Sequence, residues 1–256
     1  MMEGYRMKNK GYQIVCIVVL FVLALTSMVV VVTDKKSQRQ ASSVSKTSQS
    51  TRTSSTSSSQ QADLPAVSSS DWELLLVNRE HVRAELNPQL AEVSGIPVDA
   101  RIAENVTKFL AAAQAIDPNE HLISGYRSVA YQETIYNSYI QQEMAADTSL
   151  SREAAEAKVQ TYSQPAGASE HMTGLAIDMS TVNSLNESDP QIASQVQQIA
   201  PEYGFVLRFQ EGKTESTGVG YEDWHYRYVG VESAKYMTEH QLSLEEYVAL
   251  LQKNRK

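Results

Sequence analysis

The sequence predicts an α+β fold, with helices packed around a small antiparallel sheet. Three observations carry this expectation. Apolar residues recur at helical spacing in several segments of the C-terminal two thirds. Short strand-like runs lie between those segments. The composition also changes sharply near residues 33 and 70, which sets a hydrophobic span and a polar linker ahead of the folded part.

The 256 residues leave room for one ordinary domain plus extra segments. Ile14 to Val32 is apolar throughout except for Thr26 and Ser27. At 1.5 Å per residue such a run crosses a hydrocarbon core about 30 Å thick. It ends in four valines rather than in a small-residue cleavage site, so residues 1–33 are expected to be a stub and an uncleaved membrane anchor. Cys16 is the only cysteine, which excludes a disulfide within the chain; it lies at the start of the apolar run behind Val15, the wrong setting for a lipoprotein box. Arg6, Lys8 and Lys10 before the span are nearly balanced by Lys35, Lys36 and Arg39 after it, so charge leaves the orientation open.

Residues 34–70 are rich in Ser, Thr and Gln and poor in large apolar side chains. Such a segment cannot bury enough surface to offset its ordering entropy and reads as a flexible, disordered linker. Residues 71–256 form the expected domain. The first 70 residues carry eight basic side chains against three acidic, and the remainder fourteen against twenty-seven. An acidic domain without a DNA-binding motif argues against nucleic acid as a partner.

Within the domain, Ile102, Val106, Phe109, Leu110 and Ala113 mark one helical face behind Asp99 as a candidate cap. A second helix is expected from Ser128 towards Ala146 with Tyr131, Ile135, Tyr139 and Met144 inward, and a third from Ser151 to about Tyr162. Asp189 and Pro190 are suited to cap and open a helix through Ile199, and Ser243 with Glu246 makes a capping box for the last one. The strand-like runs are 175–179, 204–209 and 224–229.

Polar and glycine residues interrupt these runs in three places: 124–128, 169–178 and 222–230. A hydrolytic zinc site needs three protein ligands and one open position, and His171, Asp178 and His225 supply suitable nitrogen and oxygen donors. His171 and Asp178 are seven apart, so a regular strand would point them to opposite faces. A break at Gly174 is therefore required. Glu222, three residues before His225, is the candidate proton acceptor, provided it lies in the turn entering the strand. Spacing alone leaves a plainer alternative for each residue: a strand-end Asp178, a solvated acidic turn at 222–223, and packing roles for Trp224, Tyr226 and Tyr228. His81, His121 and His240 read as ordinary surface or packing residues.

Three ordered motifs resolve that choice. Ser169, His171, Gly174, Ala176 and Asp178 match S-x-H-x-x-G-x-A-x-D; Glu222, Trp224 and His225 match E-x-W-H; and Gly-Tyr-Arg-Ser stands at 125–128. In these segments the chain resembles the VanY-like D-alanyl-D-alanine carboxypeptidase family of zinc peptidases. The resemblance implies His171, Asp178 and His225 as Zn²⁺ ligands and Glu222 as catalytic base. It also implies that Arg127 holds or polarises the peptide and that Ser169 binds the terminal D-alanine region. A salt bridge pinning the loop is the alternative for Arg127, and a local turn hydrogen bond is the alternative for Ser169. Asp223 stands where relatives often have Pro, and Phe209-Gln210 where they have Tyr-Pro, departures that bear on substrate preference.

The expected function is removal of a C-terminal D-alanine from peptidoglycan stem peptides by a monomeric, membrane-anchored enzyme facing outward. The motifs serve both D,D- and L,D-carboxypeptidases, and the acidic domain leans slightly towards a lysine-like amine and the L,D case. The competing class is a non-catalytic wall-binding module that keeps the peptidase fold.

Overall fold

The computed structural model describes residues 63–254, with residue 185 left out. The predicted anchor at 14–32 and most of the predicted linker lie outside the described residues. Among those described, no helix is long and apolar enough to cross a membrane. Leu64 and Val67, at the end of the linker segment, pack against a hydrophobic cluster of the domain.

A short 3-10 turn at Trp72–Leu74 leads to a hairpin of β1 (Leu90–Val93) and β2 (Ile96–Asp99). Then follow α1 (Ala103–Ile116), β3 (His121–Ser124), α2 (Val129–Ala146) and α3 (Arg152–Val159). The remainder is β4 (Ala176–Ser180), α4 (Pro190–Ile199), β5 (Phe205–Leu207), the one-turn α5 (Thr214–Thr217), β6 (His225–Tyr228), α6 (Val231–Glu239) and α7 (Leu244–Asn254). Strands β3, β4, β6 and β5 form, in that order, one antiparallel sheet. The fold class is thus the α+β arrangement expected, with the hairpin as a second small sheet.

Alternation along these strands gives the sheet two chemically different faces. Ile177, Met179, Phe205, Leu207 and Tyr226 point into the main core, where they meet Val106, Phe109, Leu110 and Ala113 of α1. Phe109 packs against Phe205 and Tyr226 with ring centroids 5.1 Å apart in both cases. Burying an aliphatic or aromatic side chain of this size stabilises by about 1.5–3 kcal/mol, so this face anchors the sheet. Asp178, His225 and Arg227 have the opposite parity. Asp178 and His225 are direct partners in the β4–β6 register, which sets their side chains next to each other.

Local sequence accounts for most helix ends. Ser128 accepts from the Tyr131 amide, Ser151 from that of Ala154, and Asp189 from those of Gln191 and Ile192. Ser243 and Glu246 exchange both capping-box bonds, at 2.8 and 3.2 Å. One expectation fails and another holds only in part. Asp99 does not cap α1: it closes β2, its amide donates to the Gly174 carbonyl, and its carboxylate takes Arg101 instead. In α2 the expected face holds only in part: Tyr139 and Met144 pack, half-buried, against the cluster as expected, but Tyr131 is exposed and the fully buried positions are Gln132, Tyr136 and Ile140. The face rotates because α2 packs on α3 in a cluster of its own and because Gln132 is drawn inward by the Gln164 carbonyl, 2.7 Å away.

Glu120, just before β3, is 3% exposed, and its Oε2 has no hydrogen-bond partner. Burial raises its carboxyl to about 7, Asp117 and Asp223 adding to the effect and His121 opposing it. A raised carboxyl favours the folded state below its free value and loses that contribution as pH climbs through the folded one. Glu120→Gln should therefore stabilise by about 1–3 kcal/mol at pH 8 and be nearly neutral at pH 4.5. Thermal melts of both proteins across that range check this; a constant difference would contradict it.

Candidate metal centre

The segment 169–178 is a short 3-10 turn followed by β4. His171 lies in the turn at Glu170–Thr173, and Gly174 ends it with φ +68°, in the left-handed region. A Cβ there would sit 2.7 Å from the Asp99 amide nitrogen, so β2 leaves room only for glycine. This is the break that the seven-residue spacing demands. The chain reverses, and Asp178 enters from the strand to meet His171.

The 125–128 segment supports the same turn. The Arg127 amide donates to the His171 carbonyl, and the Gly125 carbonyl lies 2.6 Å from His171 Nδ1. A Cβ on Gly125 would meet the Pro97 carbonyl at 2.3 Å, which is why the backbone can come so close. With Nδ1 donating to Gly125, His171 presents Nε2 to Asp178 Oδ1 at 3.3 Å. On the other side His225 Nδ1 faces the same oxygen, also at 3.3 Å.

His171, Asp178 and His225 each offer a donor atom, and all three atoms lie within 4.8 Å of one another. The residues are 1%, 7% and 6% exposed. His171 Nε2 and Asp178 Oδ1 are buried without a hydrogen-bond partner, an arrangement that costs free energy unless a cation fills it. Two imidazoles and one carboxylate around an open position are the donor set of a hydrolytic zinc site, and the residues fit that ion.

Glu222 lies before β6, where strand parity led it to be expected. Its amide donates to the Phe209 carbonyl, and its Oε2 is 3.7 Å from His225 Nδ1. Burial pushes its carboxyl up to about 8; His225 pulls against the shift and Asp178 adds to it. Asp178 is held well below the usual carboxylate range despite its burial, because His171 and His225 face it.

A cleft opens beside these groups, lined among others by Arg127, Gln132, Tyr139, Ser169 and Trp224. Arg127 makes no ion pair among the described residues, and its Nε is buried without a partner, so the loop-pinning alternative has no support. Ser169 makes no capping hydrogen bond. His121 binds Asn119 and Asn183 away from the site, and His240 packs on Tyr236. Asp223 pins a neighbouring loop: its carboxylate accepts from the Ser188 amide, and its own amide donates to Asn186 Oδ1.

Four residues not singled out from the sequence complete the site. Glu170 Oε1 accepts from Arg208 Nε at 2.9 Å and from Arg227 Nη1 at 2.8 Å. Arg208 also grips Glu245 of α7 with two bonds, at 3.0 and 2.6 Å, and Arg227 donates to the carbonyls of Glu73 and Leu75. Burial acts to raise the Glu170 carboxyl, yet the two guanidiniums hold it well below the ordinary range. The signal for Arg208 and Arg227 was present: each interrupts an apolar strand run at even spacing, Arg227 two residues after His225.

Comparison with known proteins points to one family. The family model described as VanY, D-alanyl-D-alanine carboxypeptidase, matches residues 95–231. A D-alanyl-D-alanine carboxypeptidase of Enterococcus faecalis is 33% identical over 180 residues, covering 70% of this chain and 66%, just under two thirds, of that protein. The solved structure of VanYB in complex with D-alanine-D-alanine superposes with a TM-score of 0.64 at 32% identity, covering 70% of this chain and 98% of that one. A variant of the vancomycin-resistance D,D-pentapeptidase VanY, solved in complex with Zn(II), gives a TM-score of 0.62 at 32% identity, covering 70% and 99%.

Because the turn at Gly174 sets the ligand geometry, Gly174→Ala should lower stability by about 2 kcal/mol or more and weaken zinc binding. Gly95→Ala is the matched control, since Gly95 also has positive φ but nothing within 4 Å of its added methyl. Melting curves and zinc titrations of both variants test this. Equal zinc affinity in the two would contradict it.

Proposed function

This chain belongs to the VanY family of D-alanyl-D-alanine carboxypeptidases, and from that premise we propose that it is a zinc carboxypeptidase that removes the C-terminal D-alanine from peptidoglycan stem peptides. The observation that carries the reading is the convergence of His171, Asp178 and His225 beside a cleft that also holds Glu222 and an unpaired Arg127. Zn²⁺ held by the three ligands supplies Lewis-acid chemistry, making water nucleophilic near neutral pH and polarising the amide carbonyl.

The chain's own residues do the rest. Glu222 takes the proton from the attacking water and returns it to the departing amine. A carboxyl raised by burial towards the working pH is suited to both transfers, and the positive charge of a bound cation would oppose that rise. Arg127 offers a planar donor fork to the peptide beside the scissile bond. Ser169, 6% exposed at the cleft wall, binds the terminal residue. Trp224 and Phe209 line the cleft and exclude water from the ligands.

The proposal extends to D,D-cleavage. The slight lean towards a lysine-like amine came from net charge, yet the acidic residues lining the cleft are Glu170, Asp178 and Glu222. One is bound by arginines, and in this reading one is a ligand and one is the base, so none of the described lining carboxylates is left for a substrate amine. Ligands and base come from one chain, and a monomer suffices. For localisation, residues 14–32 serve in this reading as the anchor and residues 34–70 as a tether reaching roughly 30 Å, with the domain outside the membrane where its substrate lies.

Incubating the zinc-loaded full chain with pentapeptide and tetrapeptide muropeptides, and reading released alanine, tests the proposal. The pentapeptide ending in D-Ala-D-Ala should be the better substrate. Glu222→Gln should cut kcat about 10²–10⁴-fold while leaving zinc bound. No release from either peptide would leave a non-catalytic wall-binding module as the better reading.

A further inference from the structure

The two candidate imidazole ligands are used in opposite senses. His171 is held through Nδ1 by the Gly125 carbonyl and faces the site with Nε2. His225 faces the site with Nδ1, and its Nε2 points away, to Glu170 Oε2 at 3.6 Å. Neither of those two atoms has another hydrogen-bond partner, and both are buried. A small rotation of either side chain brings them within hydrogen-bond reach.

A neutral imidazole carries one N–H, and the partner of that N–H decides which nitrogen is free to bind a metal. Glu170 is 4% exposed, and its Oε1 is fully engaged by Arg208 and Arg227. These two guanidiniums keep the carboxylate charged and fixed, with Oε2 the oxygen left for His225. Arg208 is in turn held by Glu245 on α7, and Glu245 accepts from Asn78 Nδ2.

We propose that Glu170 is a positioning residue for the metal: its Oε2 accepts the Nε2–H of His225 and so fixes the tautomer that presents Nδ1 to the ion. The inference rests on the zinc reading given above. It makes metal affinity depend on a residue that is not a ligand, and it ties that residue through Arg208 to the last helix. The competing role for the cluster is purely structural, a buried ion network that holds β5, β6 and α7 together.

Zinc affinity, measured by chelator competition on the full chain, separates the two roles. Glu170→Gln keeps the volume but presents an amide where two guanidiniums require an anion. It should weaken zinc binding about 10–100-fold in protein that is folded by circular dichroism, and Glu245→Gln should weaken it by less. A folded Glu170→Gln protein with wild-type zinc affinity overturns the proposal, even if its melting temperature falls. Should that variant not fold, wild-type protein labelled with ¹⁵N-histidine and loaded with ¹¹³Cd provides the test. Cadmium coupling to Nδ1 of His225, with a protonated Nε2, supports the proposal; coupling to Nε2 of His225 overturns it. These readouts need no turnover. An inactive chain with Glu170-dependent zinc binding therefore counts against the carboxypeptidase reading alone.

Discussion

His171 and Asp178 belong to one short stretch of chain, and a straight strand would turn them away from each other. The left-handed turn at Gly174 converts that stretch into a 3-10 turn and a strand that meet at an angle. The turn is held from outside by the Asp99 amide, which donates to the Gly174 carbonyl at 3.0 Å and leaves no space for a side chain. The β1–β2 hairpin is therefore more than an ornament on the fold. It is the surface against which the metal-binding turn is shaped, and Tyr126, whose amide donates to Pro97, docks the arginine loop on the same hairpin.

The sheet then separates two jobs that would conflict in one place. Its apolar face is closed by α1 and α4 and forms the largest hydrophobic cluster among the described residues. Its polar face carries Asp178 and His225, the proposed ligands, and two arginines, charges that would be costly there unless mutually satisfied. Glu170 solves that problem by accepting from both arginines while lying next to His171 in sequence and next to His225 in space. The contacts that satisfy this buried charge thus also brace the proposed ligands. The cleft wall built by α2 and α3 has a separate hydrophobic cluster, so its shape can vary without disturbing the metal face.

Much of this was legible in the sequence, for physical reasons. Helix caps are local, and Ser128, Ser151, Asp189 and the Ser243–Glu246 pair act as their chemistry implies. The break at Gly174 and the pre-strand position of Glu222 followed from strand parity alone. The failures share one cause. Asp99 and the inward face of α2 are decided by partners far along the chain, Gly174 for the first and Gln164 for the second, which periodicity within a window does not register. Glu170 was hidden differently: it sits inside a recognised motif at a position that the motif leaves unspecified, and its meaning emerges only when Arg208 and Arg227 arrive from other strands.

The central claim is that one turn and one strand pair bring three side chains to a single ion. Diffraction from zinc-soaked crystals at the zinc absorption edge tests it most directly. One strong anomalous peak is expected, bounded by His171 Nε2, the Asp178 carboxylate and His225 Nδ1, with its remaining side open to the cleft beside Arg127. A peak that lacks any one of these three residues, or a fully loaded protein with no peak there, would contradict it.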